Sequence, residues 1–333
     1  MIYADLNGEQ QLKVLNQMNA LTSQDPQAIE KDWWLTQVLR VLFAQPYAEH
    51  LSFKGGTSLS KAWGLIERFS EDIDIAISRE FLGFTGELSR TQVSDKLRRA
   101  SCKFVRTTMK TDVENGLSAL GINPELFNVH VDETSVTTVD PEVIFVDYHS
   151  VLPDSEYIAH TVKVEVSGRS MSEPLKRVAL QSLIDKVLPQ SSIVQPEFEA
   201  SVVMPERTFL EKVMLLHEEF ARPIDDVRTK RMSRHLYDLH RMMKTEIAER
   251  ALNDDALYRT IVEHRRKFIG LKGFDYDTLY PKLISLRIPE DVLPLWRKDY
   301  EQMQESMIYG KSVSFDELLE AIQQLEERLH SKN

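Results

Sequence analysis

Apolar residues recur at three- and four-residue spacing along most of the chain, and a few short stretches alternate strictly instead. The first clear helical run covers residues 31–43, where Trp34, Leu35, Val38, Leu39 and Leu42 make one buried face. Residues 57–69 repeat the pattern with Leu59, Ala62, Trp63, Ile66 and Phe69, leaving Ser60, Lys61, Glu67 and Arg68 for the other side. That predicts a helix over 57–69, capped by Thr57 or Ser58. Residues 72–77 then alternate: Ile73, Ile75 and Ile77 share one face of a strand, and Asp72, Asp74 and Ala76 share the other.

Residues 91–120 read as one long helix or two abutting ones, and 127–131, 143–148 and 160–166 read as strands. From about Pro205 the rhythm is helical again, over 207–220, 232–244, 256–268 and 315–329. The expected organisation is a mixed α/β (α+β) domain over 1–195, with N-terminal helices, and a helical domain over 196–333. The stretch between Pro196 and Pro205 is the expected boundary. No internal repeat or low-complexity tract interrupts the pattern.

Composition narrows the chemistry. The chain has 333 residues, 42% hydrophobic and 28% charged, which is ordinary for a soluble globular protein. No apolar run has the length of a membrane span, and the N-terminus lacks a basic region followed by an apolar one, so a cytoplasmic protein is expected. The single cysteine, Cys102, excludes an intrachain disulfide and a cysteine-based zinc site. A formal net charge of −11 means that any nucleic-acid contact must come from a local patch. One candidate patch is the stripe Lys96, Arg99, Lys103, Arg106 and Lys110, at helical spacing beside apolar Val93, Leu97 and Phe104.

Three stretches could carry a reaction. Gly55, Gly56, Thr57 and Ser58 open a predicted helix, where glycines admit a phosphate to backbone N–H groups and a hydroxyl can donate to it. The same residues also suit an ordinary turn, and their spacing fits neither a P-loop nor a Rossmann fingerprint. Asp72 and Asp74 project from one strand face, where two like charges repel unless a cation neutralises them; Mg2+ is the usual partner, completed by substrate phosphate oxygens. Lys163 and Glu165 share a strand face opposite Val162, Val164 and Val166. Glu165 there could accept a proton from an attacking hydroxyl, share a metal, or simply pair with Lys163.

These residues carry a resemblance. Lys54-Gly-Gly-Thr-Ser-Leu59, a helix, and Phe69-Ser-Glu-Asp-Ile-Asp-Ile75 are similar to the AbiEii/AbiGii toxin family, which has a polymerase-β-type nucleotidyltransferase fold and includes the MenT toxins. Ile29-Glu-Lys-Asp-Trp-Trp-Leu-Thr36, Val164-Glu-Val-Ser-Gly-Arg169, Arg207-Thr-Phe-Leu-Glu-Lys212, Leu215-Leu-His217 and Ser233-Arg-His-Leu-Tyr-Asp-Leu239 extend it over roughly 29–240. The resemblance implies a mixed sheet flanked by helices, with the C-terminal helical domain completing the active site. It implies phosphate contacts from Gly55, Gly56, Thr57 and Ser58, a metal on Asp72 and Asp74, and Lys212 on the triphosphate. Asp238 matches an acid of the family's last motif, written Arg-Asp-x-x-Asp in many members. Here that motif reads Arg234-His235-x-x-Asp238, so His235 stands where the first acid would be. Arg169 and His235 complete the expected nucleotide-contacting set.

The implied activity is metal-dependent transfer of a nucleoside monophosphate from a nucleoside triphosphate to a hydroxyl, with the tRNA 3′ end as expected acceptor. The implied role is the toxin of a type IV-like toxin–antitoxin or abortive-infection pair, with a cognate antitoxin as partner. Two alternatives stay open on the residues alone. One is a nucleotide- or partner-binding module that has lost turnover, for which His235 leaves room. The other is phosphoryl transfer to a protein hydroxyl, including the chain's own Thr57 or Ser58.

Overall fold

The computed structural model describes residues 1–154 and 158–332. The chain divides into two compact units, Met1–Ala62 with Phe69–Val203, and Trp63–Arg68 with Met204–Asn333. The first unit thus runs past residue 195, and a six-residue excursion inside it, 63–68, clusters with the second.

The first unit opens with helix α1 (Gly8–Thr22), started by a reciprocal pair in which Asn7 caps the Gln10 N–H and the Gln10 side chain returns to Asn7. Helix α2 (Pro26–Phe43) follows, capped by Asp25 with proline in its first turn. It is buried well beyond one face: Glu30, Lys31, Thr36 and Gln37 are buried along with Trp33, Trp34 and Leu39. Trp34 stacks on Tyr148 with ring centroids 5.1 Å apart, one of the geometries that favours aromatic pairs beyond their buried area.

Strands β1 (Leu51–Lys54), β2 (Asp72–Ile77), β3 (Phe127–Val131), β4 (Glu142–Tyr148), β5 (Thr161–Ser167), β6 (Leu175–Leu180) and β7 (Phe198–Val203) form one mixed seven-stranded sheet. Its order is β3-β4-β5-β2-β1-β7-β6. β2 is parallel to β5 and β1 to β7; the remaining neighbours are antiparallel. Along β5 and β4 burial alternates residue by residue, so one sheet face is packed and the other is partly open. Helix α2 lies against β5 and β7.

Helix α3 (Gly55–Lys61) is much shorter than the periodicity over 57–69 predicts. Gly64 sits at φ +62, a left-handed conformation that cannot continue a helix, and residues 63–68 leave the unit there. The helix is capped at Lys54, so Thr57 and Ser58 lie inside it. The long helical stretch expected over 91–120 is α4 (Arg98–Phe104) and α5 (Lys110–Ala119), joined and preceded by wider turns over Val105–Met109 and Gln92–Leu97. A short helix α6 (Leu183–Val187) precedes β7.

The second unit is helical: α7 (Pro205–Phe220), α8 (Ser233–Met243), α9 (Glu246–Asn253), α10 (Asp255–His264), α11 (Leu293–Ser306) and α12 (Phe315–His330). Its core includes Phe209, Leu236, Tyr237, Trp296, Tyr300 and Leu325. Segment 63–68 is fastened to it: the Glu67 carbonyl accepts from the Tyr309 N–H at 3.1 Å, and Arg241 pairs with the Glu67 carboxylate at 3.1 Å.

Candidate active site

The central strands β1, β2 and β5 set the site. In their register Lys54 lies opposite Asp74, Asp74 opposite Glu165, and Asp72 opposite Lys163. Directly opposed residues point to the same side of a sheet. Asp72, Asp74 and Glu165 therefore share the partly open face, while Ile73, Ile75 and Ile77 are buried on the other.

The glycine turn meets this face. Gly55 adopts φ +76, and a Cβ built there would lie 1.9 Å from Oδ2 of Asp74. Only glycine satisfies both conditions, the left-handed backbone and the close approach of a carboxylate. The first residue of α3 and the second aspartate of β2 are thus packed on each other, far closer than their separation in sequence suggests.

The hydroxyls behave differently from the sequence expectation. Thr57 and Ser58 are 3% and 0% exposed, and they turn inward. The Thr57 hydroxyl lies 2.5 Å from the Asp72 carbonyl and 2.9 Å from the Ser70 Oγ; with one proton, it donates to the carbonyl and accepts from Ser70. Ser58 donates to the Gly55 carbonyl at 2.8 Å. Thr57 is therefore a brace for the start of β2. Both hydroxyls are thus buried and already hydrogen-bonded within the first unit.

Behind the face sits a set of buried charges that periodicity did not flag. Lys31 of α2 is 2% exposed, and its Nζ donates to Glu71 and to the Ala159 carbonyl, each at 3.0 Å. Burial pulls its pKa down, against the opposing pull of Glu71 and Asp72. The next residue, Asp32, accepts from Lys61 at 2.6 Å and from the Leu183 N–H at 2.7 Å. Lys31 thus ties the entry of β2 to the segment leading into β5. A Glu-Lys-Asp run inside an otherwise apolar helix was the available signal for it. Arg169, expected on the nucleotide, pairs with Asp140.

Lys212, His235 and Asp238 belong to the second unit and form a cluster of their own. Arg68 grips the Asp238 carboxylate with two bonds of 2.7 Å, and Lys212 Nζ adds a third at 2.9 Å. Burial pushes the Asp238 carboxyl up, but Arg68 and Lys212 outweigh it and hold it well below the usual carboxylate range. Burial, with Lys212 and Arg234 alongside, pushes His235 well below the usual imidazole range. His235 is therefore neutral, and its Nδ1 accepts from Lys212 at 3.2 Å. Neither the charge partner Arg68 nor the lysine–imidazole contact was legible from spacing, since Arg68 lies 170 residues from Asp238.

The candidate RNA stripe also changes. Arg99 pairs with Asp95, Lys110 with Glu114, and Arg106 with buried Glu142; Lys96 and Lys103 are exposed and make no ion pair among the described residues.

The model of the nucleotidyl transferase AbiEii toxin family, type IV toxin–antitoxin system, matches residues 37–321. The chain belongs to that family. It is accordingly a nucleotidyltransferase of the AbiEii type, with the glycine turn, Asp72, Asp74, Lys212 and Asp238 all inside the matched span. No curated protein matches the chain. Among solved structures it is similar to JHP933 from Helicobacter pylori, at 16% identity and a TM-score of 0.37, covering 84% of this chain and 97% of that one. A second Helicobacter pylori structure, provisionally assigned as a nucleotidyltransferase, gives the same identity and TM-score over 84% of this chain and 99% of that one. Among the described residues no helix is long and apolar enough to cross a membrane.

Proposed function

We propose that this AbiEii-family chain transfers a nucleoside monophosphate from a nucleoside triphosphate to a hydroxyl of RNA, the tRNA 3′ end by family resemblance, and acts as the toxin of a type IV-like pair with a cognate antitoxin. The observation that carries the reading is the packing of Gly55 on Asp74 with Asp72 and Glu165 on the same face. It brings a backbone suited to phosphate against a pair of carboxylates.

Among the described residues no group of three or more His, Cys, Asp or Glu side chains is gathered to hold a metal by itself. Two carboxylates on one strand face are nonetheless the hard oxygen donors that Mg2+ takes, with substrate oxygens and water filling the rest of its shell. Asp72 and Asp74 would hold the ion, which supplies positive charge to the phosphates when bound. The backbone of residues 55–58 binds and orients the triphosphate. Glu165, opposite Asp74, takes the proton from the acceptor hydroxyl or shares the ion. The hydroxyl oxygen forms a bond to the α-phosphorus, the bond to the bridging oxygen breaks, and pyrophosphate leaves.

Incubating the protein with Mg2+, each labelled nucleoside triphosphate and total RNA tests the reading. Labelled RNA with pyrophosphate released in equal amount is expected, and Asp74→Ala abolishes both the label and growth inhibition. A folded protein that labels no RNA with any of the four nucleotides, or a toxic Asp74→Ala, overturns it.

A further inference from the structure

The register that aligns the aspartates continues outward across the sheet. Asp72 lies opposite Lys163, Lys163 opposite Phe145, and Phe145 opposite His130. One cross-strand row therefore runs over β2, β5, β4 and β3 on the partly open face. At roughly 4.8 Å per strand it extends about 14 Å from Asp72.

The order of chemistry along that row is specific: carboxylate, ammonium, phenyl ring, imidazole. Lys163 is exposed, and among the described residues it makes no ion pair. The His130 and Phe145 rings are stacked, centroids 5.1 Å apart and 12° from parallel. Asp147 holds the imidazole by its Nε2 at 2.9 Å and is itself fixed by the Thr161 hydroxyl at 2.6 Å. The His130 side chain stays 42% exposed. A flat ring pair kept in place and partly uncovered on a sheet is a surface for stacking an unpaired base, and a free cation one strand away suits the adjoining phosphate.

We propose that this row is the acceptor platform: a single-stranded RNA end lies across β3, β4 and β5, a base on the Phe145–His130 pair and a phosphate on Lys163, with its terminal hydroxyl directed toward Asp72. The inference rests on the nucleotidyl-transfer reading for its direction, but the surface itself is defined by Lys163, Phe145 and His130. A nucleobase of the incoming triphosphate could claim the same rings, and the charge order favours RNA. Lys163 lies between the rings and the aspartates, where a strand running toward Asp72 needs a phosphate contact.

The test measures binding of a short fluorescein-labelled single-stranded RNA without nucleotide, then KM for RNA and for nucleoside triphosphate. Phe145→Leu and Lys163→Gln are each expected to weaken RNA binding about tenfold, raise KM for RNA equally, and leave KM for the triphosphate unchanged. Ultraviolet crosslinks to the wild-type protein map to β3 and β4. His130→Ala repeats the measurement should Phe145→Leu alter the circular dichroism spectrum. Unchanged RNA affinity in all three variants overturns the platform, as does a rise confined to KM for the triphosphate. Transfer to RNA with binding indifferent to these residues leaves the transferase reading standing and this one overturned. RNA binding that depends on Phe145 in a protein without any transfer does the reverse.

Discussion

Both units place charged side chains close together, and they handle the charge in opposite ways. On the sheet, Asp72, Asp74, Lys163 and Glu165 share a partly open face, with Gly55 pressed on one carboxylate. In the helical unit, Arg68, Lys212 and Asp238 are sealed at 2%, 7% and 0% exposure, and both cations converge on the one carboxylate within hydrogen-bond distance. An open group of like charges is tolerable because water screens it and a ligand can complete it. A sealed group has no such recourse and must be balanced internally. The first arrangement leaves its carboxylates partly open to solvent, whereas the second pairs its charges within the cluster.

The contrast predicts opposite responses to losing one carboxylate. Asp74→Asn should reduce nucleotide transfer by roughly a thousandfold or more, several kcal/mol of transition-state stabilisation. Its unfolding free energy should hold or rise slightly, because a repulsion is relieved. Asp238→Asn should cost about 3–5 kcal/mol of stability by stranding Arg68 and Lys212. Urea unfolding of the two variants beside wild type decides it; equal stability losses would erase the distinction.

The same contrast explains what the sequence could convey. Period-two alternation exposes β2, β4 and β5, and the order glycine turn, helix, aspartate strand marks the candidate site. Strand β1 escaped because its first three residues, Leu51, Ser52 and Phe53, are all buried, leaving no alternation to see. Strand β6 has the opposite fault: it is an edge strand exposed along most of its length. Helix 57–69 was overextended because Ile66 and Phe69 are buried for other reasons, beyond the break at Gly64. Thr57 looked like a phosphate donor since its type and position suit that role; only the fold shows its hydroxyl turned toward the Asp72 carbonyl. Long-range charge partners such as Arg68 with Asp238 or Lys31 with Glu71 have no local periodicity at all.

Acid should separate the units further. Burial, helped by Lys244 and Arg241 and opposed by Glu317, pushes His240 of the helical unit down to about 4. The unfolded chain, with an ordinary histidine near 6.5, binds a proton that the folded chain refuses. Stability from this group is complete above about pH 6.5, falls as pH drops, and levels off below about 4. The full loss expected is about 3 kcal/mol, and burial lowers His235 and His217 in the same direction. Urea midpoints at pH 7 and pH 5 measure the slope, and His240→Gln should flatten its share. An unchanged slope in that variant would exclude His240 as the source.

Gly55 joins the open site to the backbone, so its replacement probes how tightly the two are matched. Gly55→Ala should cost about 1–2 kcal/mol through its left-handed backbone alone. It should also displace the Asp74 carboxylate, whose Oδ2 would stand 1.9 Å from the new Cβ. In Asp74→Ala the colliding atoms are gone, so adding Gly55→Ala there should cost measurably less than in wild type. Additive costs would mean that Asp74 simply swings aside.

The smallest effect should fall on the helix stripe. Lys96, Arg99 and Lys103 are its exposed members, and Arg99 is already paired with Asp95 at 2.8 Å. Replacing all three by alanine should change stability by no more than about 0.5 kcal/mol per site. A track that contacts three RNA phosphates would lose about 2 from the slope of log affinity against log salt when those cations are removed. With Arg99 locally neutralised, Lys96 and Lys103 could account for at most about 1.4 of that slope, and RNA seated on the sheet platform instead predicts a loss below one. Lys163 has no acid of its own to release first. If the stripe variant loses the full slope while Lys163→Gln keeps it, RNA binds along the helix, and the open sheet face receives the nucleotide alone.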